Sequence, residues 1–201
     1  MPKPAAAAAA TSPKTAKKAV KSLKMAATTD GKAKPSDSSA PSTQISEQHA
    51  LLHTFVGKWK GHTTLYLGQH TAEAVADVKV ESILGGNFVA MQYSADFPGM
   101  GPFQGKGLYG YSSNKSEFES VWVDSMASEV FIASGPPGKG MKKHVMEVFE
   151  TRFDFKLNKN KDSRTTYEFN PKDPSVIVHE NFSTVEGGKE VKDRRIVYKR
   201  V

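Results

Sequence analysis

From Trp59 to Tyr198 the apolar residues return at every second position, and this two-residue period constrains the fold more than any other property of the chain. It turns successive side chains to opposite faces of a strand, so each segment presents one apolar face. In the first segment Trp59, Gly61, Thr63, Leu65 and Leu67 share a face, and Lys58, Lys60, His62 and Thr64 take the other. In the next, Ala74, Ala76, Val78 and Val80 alternate with Glu73, Asp77, Lys79 and Glu81. The same rhythm predicts strands over 87–97, 103–111, 117–126, 129–134, 144–155, 164–169, 176–182 and 190–199, about ten in all. Turn chemistry separates them, with Gly68, Gly85-Gly86, Pro98-Gly99, Ser112 to Asn114, Pro136-Pro137, Asn158 to Asp162, Pro171 to Pro174 and Gly187-Gly188.

Short links between successive strands specify an up-and-down meander, which ends either as a sandwich or as a closed barrel. Closure removes the exposed edges, so the expected fold is all-β: a closed or nearly closed antiparallel up-and-down barrel with a short N-terminal capping helix. Ser46 is the expected N-cap of that helix, and Leu51, Leu52, Phe55 and Val56 follow at helical spacing before Gly57, a span of about 11 residues. His49 and His53 stand four apart on it, a spacing that suits a metal; with no third ligand nearby they read as solvent-facing helix histidines, so no metal is expected.

Residues 1–45 differ in kind. Up to Ser46 the chain holds eight lysines against Asp30 and Asp37, a charge of +6, so only +1 of the chain's +7 is left for the rest. With Val20, Leu23 and Met25 almost its only larger apolar side chains, this Lys/Ala/Pro/Ser-rich arm is expected to be disordered, ahead of a barrel domain over 46–201. Its lysines suggest weak, salt-sensitive DNA contact by phosphate neutralisation; a plain linker or an organelle-targeting segment are the alternatives. Cys 0 removes disulfides and thiolate chemistry. No stretch approaches the roughly 18 apolar residues of a membrane span, so no membrane partner and a cytoplasmic location are expected.

Gly61, Ala74, Ala76, Gly105 and Gly107 lie on the expected inner face beside large residues such as Trp122, Phe149 and Phe153. Such a mixture either leaves a lumen for a ligand or interdigitates into a filled core. Within 117–126 the side chains of Phe118, Ser120, Trp122, Asp124 and Met126 share one face, which makes Asp124 a carboxylate among aromatics. It is the leading candidate to orient a ligand; its alternative role is to pin the following turn. Tyr93, Tyr109 and Phe149 are further lining candidates, and Met100 and Phe103 belong to a loop that suits a lid. No nucleophile elbow, phosphate-cradling Gly loop or inward carboxylate pair is present, so no catalytic residue is assigned.

The segment Gly57-Lys58-Trp59-Lys60-Gly61 after a short helix resembles the G-x-W start of lipocalin-like (calycin) barrels, nitrobindin-like proteins included. That resemblance implies a Trp59 that seals the closed end against an arginine near the last strand; Arg194, Arg195 and Arg200 are the candidates and Arg195 the expected one. A haem pocket of the nitrobindin kind would need an inward histidine late in the chain. His179, read as opposite Val176, Val178 and Phe182, faces the wrong way, so no cofactor is expected.

Over residues 48–200 four motifs in order resemble a largely bacterial domain family of unknown function with a lipocalin-like barrel. They are Leu84-Gly85-Gly86, Pro98-Gly99-Met100-Gly101-Pro102-Phe103, Gly107-Leu108-Tyr109-Gly110-Tyr111 and Trp122-Val123-Asp124-Ser125-Met126. The expected function is a binding barrel for a small apolar or amphipathic molecule. The rivals are a barrel enzyme of isomerase or hydrolase type using Asp124, and a DNA-associated protein acting through the arm.

Overall fold

Ser46 caps the first helix by closing a capping box with His49: its side chain accepts from the His49 backbone N–H, and the His49 ring accepts from the Ser46 backbone N–H. The computed structural model describes residues 45–138, 143–154 and 157–201; apart from Ile45 the expected arm lies outside the described residues. Helix α1 (Glu47–His53) is shorter than the apolar spacing suggests. It unwinds into tight turns in which Phe55 N–H reaches Leu52 O and Val56 N–H reaches His53 O. This releases Phe55 from the helix and drops its ring onto the barrel floor, where it meets Trp59, Tyr167, Phe169 and Tyr198 edge-on or tilted at centroid distances of 5.1–6.1 Å.

Ten strands follow: β1 (Gly57–Leu67), β2 (His70–Ile83), β3 (Phe88–Phe97), β4 (Gly101–Ser112), β5 (Glu117–Asp124), β6 (Phe131–Gly135), β7 (Val145–Asp154), β8 (Lys159–Phe169), β9 (Val176–Val185) and β10 (Val191–Arg200). Each pairs antiparallel with its sequence neighbour, and β1 also pairs with β10, from Trp59 opposite Arg200 to Leu65 opposite Arg194. The sheet is therefore a closed barrel, as the alternation requires once the sandwich is set aside. The stretch from Asn158 to Asp162, expected as a turn, is mostly strand: Asn158 has a positive φ, and β8 starts at Lys159.

Two strands carry their apolar residues on the unexpected face. On β7 Met146 and Val148 are buried, while Phe149 and Phe153 lie on the outer wall, each almost half exposed. On β9 Ile177, His179 and Ser183 are buried and Val176, Val178 and Phe182 face out. Outward Phe182 is covered by cations instead: the Arg164 guanidinium sits 4.2 Å from its ring centroid and Lys192 Nζ 5.3 Å.

The antiparallel path puts α1 and the connections around 84–87, 113–116 and 170–175 at one end, and those around 68–69, 98–100, 125–130 and 186–190 at the other. The α1 end is packed solid. Leu52, Phe55, Trp59, Phe118, Met146, Ile177 and Tyr198 there are almost wholly buried. Trp59 donates from Nε1 to Phe55 O at 2.8 Å. The cation on Trp59 is Arg200, not Arg195: its guanidinium stacks 4.1 Å from the ring centroid and donates to Val56 O and Thr54 O, each at 2.8 Å. Arg195 points outward to Glu180. Register explains the difference, because Arg200 is the residue directly across from Trp59.

Gly57 makes this clasp geometrically feasible. Its φ of +140° is one that side chains rarely adopt, and a Cβ there would collide with Arg200 Nη1. Gly57→Ala is expected to lower stability by roughly 1–3 kcal/mol through strain and displacement of Arg200, read as a shifted urea midpoint. An unchanged midpoint would show that the clasp contributes nothing.

Candidate functional site

Above the packed end the barrel opens into a cavity of about 260 Å³. The inward side chains of most of the strands build it, because beyond Trp59 and Gly61 on β1 the inner positions pass to Thr63 and Leu65, and comparable changes occur on the other strands. The small residues counted as room for a lumen are not where the space lies. The Trp122 indole occupies the position a Cβ on Gly105 would take, Tyr109 fills the space beside Gly107, and Ile196 with Tyr198 fills that beside Gly61. Small and large side chains interdigitate there, and the cavity is bounded by the resulting aromatic wall.

Seven of the eight ligand-lining candidates meet at this cavity: Tyr93, Met100, Phe103, Tyr109, Trp122, Asp124 and Met126. Met100 and Met126, 40% and 60% exposed, come from the connections at the open end and mark its mouth. Phe149 does not belong; it lies in a groove on the outer wall with Phe88, Leu108 and Ile132.

Asp124 stands at the rim with its carboxylate engaged. Oδ2 accepts from Trp122 Nε1 at 3.0 Å, and Oδ1 accepts the backbone N–H groups of Met126 at 2.9 Å and Ala127 at 3.1 Å. Three N–H donors thereby fix the indole orientation and the turn after β5 together.

The inner wall is a ladder of hydroxyls. Tyr93 Oη bonds to Thr63 Oγ1 at 2.7 Å, and Tyr109 Oη bonds to Tyr167 Oη at 3.0 Å. Burial raises all four phenols that face this region, Tyr93, Tyr109, Tyr167 and Tyr198, so they act as neutral hydrogen-bonding groups.

Sequence reasoning missed the residues that give the cavity its polarity. His179 is 4% exposed and lines it, its ring tilted against that of Tyr167 at a centroid distance of 4.4 Å. The outward placement used against it is thus corrected. Burial, then the Arg194 charge, holds its imidazole well below the ordinary histidine range. Arg194 also faces in from β10, beside Asn181 of β9, whose amide donates to Thr165 Oγ1 at 2.7 Å. Glu150 and Arg152 lie on the inner face of β7, and burial pushes the Glu150 carboxyl up against the opposing pull of Arg152. Strand pairing carried the signal that would have found them: in-phase partners of buried Tyr198 and Tyr167 are Ile177 and His179.

The helix histidines are structural, and neither is the free solvent-facing group the sequence suggested. His49 is buried in the capping box and meets Tyr111 edge-on, and His53 Nε2 lies 2.8 Å from Gly86 O. Among the described residues no group of three or more His, Asp or Glu side chains is placed to hold a metal ion, and no helix is long and apolar enough to cross a membrane.

A family model described as "Protein of unknown function (DUF1579)" matches residues 44–200. No curated protein sequence matches the chain. Among solved structures, the crystal structure of Rv2717c from M. tuberculosis superposes with a TM-score of 0.57 at 14% identity, over 78% of this chain and 98% of that one. The S-type phycobiliprotein lyase CPES from Guillardia theta covers 79% of this chain and 94% of its own at 10% identity, with a TM-score of 0.49. The first of these likenesses is one of fold.

Proposed function

Because the chain belongs to the DUF1579 family, whose function is unknown, its role has to be read from its own cavity, and we propose that the barrel holds a small, largely apolar or amphipathic molecule inside the lumen without transforming it. The observation that carries this reading is the 260 Å³ space bounded toward the packed α1 end by Tyr109, Tyr167 and Tyr198 and bordered at the other end by Met100 and Met126. Its size lies just under the roughly 300–1,000 Å³ usual for ligand pockets, which suits a compact ligand and is small for a macrocycle such as haem. The mouth is lined by flexible thioethers and rings, Phe97 and Phe103 among them, a surface that adapts to different apolar shapes. A lipocalin-like kinship, with the lumen as the binding site, fits the same arrangement.

The rival in which Asp124 acts as an acid or base has less support, because three N–H donors already engage that carboxylate. A role in DNA contact for residues 1–45 is an independent possibility that the cavity does not bear on.

Filling the lumen tests the reading. Ala133 faces the cavity from the short strand β6. Ala133→Trp is expected to weaken an apolar fluorescent probe at least tenfold, while overpacking costs about 1–3 kcal/mol of stability. If the probe binds equally to both proteins, it sits outside the barrel and the lumen is not the binding site.

A further inference from the structure

Among the described residues the inner wall holds a cation with no salt bridge. Arg194 projects from β10 into the cavity, and among the described residues no carboxylate lies within salt-bridge reach of it. Its Nε is sequestered from solvent and has no hydrogen-bond partner. Arg194 shares the cavity wall with Tyr93, Tyr109, Tyr167, His179 and Tyr198, and its charge acts on each of them. A second orphan stands beside it: His179 Nε2 is buried and unpartnered. The other ring nitrogen, Nδ1, lies 3.5 Å from the Tyr198 hydroxyl. With the Tyr198 hydroxyl donating to Nδ1, the neutral imidazole carries its proton on Nε2 and that atom is a donor; the opposite tautomer makes it an acceptor.

Two unsatisfied buried nitrogens, one of them on a guanidinium, are costly to maintain in an otherwise well-bonded protein. Several other charged side chains of this barrel are paired: Arg164 holds Glu190 and Glu147, Lys192 holds Glu180, and Lys161 approaches Asp193. The lumen departs from that pattern at the place where the proposed ligand would end. Apolar walls run from there toward Phe97, Met100, Phe103 and Met126.

From this geometry, and resting on the reading of the lumen as a ligand site, we infer that the ligand is an amphipathic monocarboxylate whose carboxylate is received by Arg194 and His179 Nε2 and whose hydrocarbon tail extends to the methionine-lined mouth. A planar two-oxygen acceptor suits a guanidinium edge and a neighbouring N–H, and the volume limits the tail to a medium-length chain.

The test uses the full chain and three probes of equal length: octanoate, octanol and octylamine. Calorimetry on the wild type is expected to give octanoate at least tenfold tighter binding than octanol, with octylamine weakest. Arg194→Met keeps the stem and removes the charge. It should abolish the preference for octanoate while leaving octanol within about threefold, and it should melt no lower than wild type because a part-buried cation without a salt bridge is gone. Should that variant fold poorly, carbon-13 NMR of carboxyl-labelled octanoate on the wild type gives an independent answer. The bound carboxylate is expected to titrate below the free acid, and a bound value at or above the free one would overturn the inference. Equal binding of octanoate and octanol would overturn the carboxylate site and leave the lumen as an apolar pocket. Failure of all three probes would overturn the lumen reading as well.

Discussion

Trp59→Ala is expected to cost about 3–5 kcal/mol, much of the 5–15 kcal/mol that holds a domain of this size together. The indole is 1% exposed and contributes three separable terms. Its rings fill the floor beside Phe55, at a centroid distance of 5.7 Å, and their loss leaves a void that the closed sheet is poorly able to collapse around. Its Nε1 satisfies Phe55 O at 2.8 Å, so truncation strands a buried carbonyl where the chain leaves α1. Its face holds the Arg200 guanidinium, which in turn fixes the carbonyls of Thr54 and Val56. Urea unfolding followed by far-UV circular dichroism measures the sum. Arg200→Met should lose less, on the order of 1–2 kcal/mol, because the rings remain and only the stacking and two carbonyl bonds go. A loss below about 1 kcal/mol for Trp59→Ala would mean that the floor is not the stabilising core of the barrel.

The same floor shows where sequence reasoning succeeds. On β1 and β2 the outward positions around Trp59, Ala76 and Val78 are charged or polar apart from Val75, so the inner face still reads clearly and the strand pairing follows. On β5 the face bearing Phe118, Trp122 and Asp124 also reads correctly, because Glu117 and Glu119 oppose it. It fails on β7 and β9, and for one physical reason. Where a barrel encloses a polar-lined cavity, the inner face is no longer the more apolar one. Glu150, Arg152, His179 and Asn181 point in, while Phe149 and Phe182 point out and find cover in the outer groove or under Arg164. Alternation reveals that a strand has two faces; only its register against neighbours reveals which one is inside. Hence the apolar half of the cavity, from Tyr93 to Met126, was legible, and its polar half, Arg194 and His179, was not. The clasp failed similarly: three arginines near the C-terminus were equivalent in sequence, and pairing alone set Arg200 across from Trp59.

Acid is expected to destabilise the barrel through His179. In the native state burial, reinforced by Arg194, keeps the ring neutral well below the ordinary pKa, whereas the unfolded chain titrates near 6.5. A folded pKa below the unfolded one means that the unfolded state binds the extra proton first. The stabilising contribution is therefore complete above about pH 6.5 and is lost as pH falls through that value, with a limiting slope of about 1.4 kcal/mol per pH unit. Other groups bend the same curve: His49, also held low by burial and by His53, adds to the slope, and the raised Glu150 opposes it at the acid end. The informative quantity is therefore the difference between wild type and His179→Gln, in which those terms cancel, measured as urea stability at half-unit pH steps. That difference should shift steadily against the wild type as pH drops from 7 to 5; a flat difference would show that the native ring protonates normally and is open to water. Saturating octanoate adds a discriminating arm, because a carboxylate beside Nε2 stabilises the imidazolium and raises the native pKa toward the unfolded one. With the lumen ligand in place the His179-dependent slope should shrink, which ties the acid sensitivity of the fold to the occupancy of its cavity.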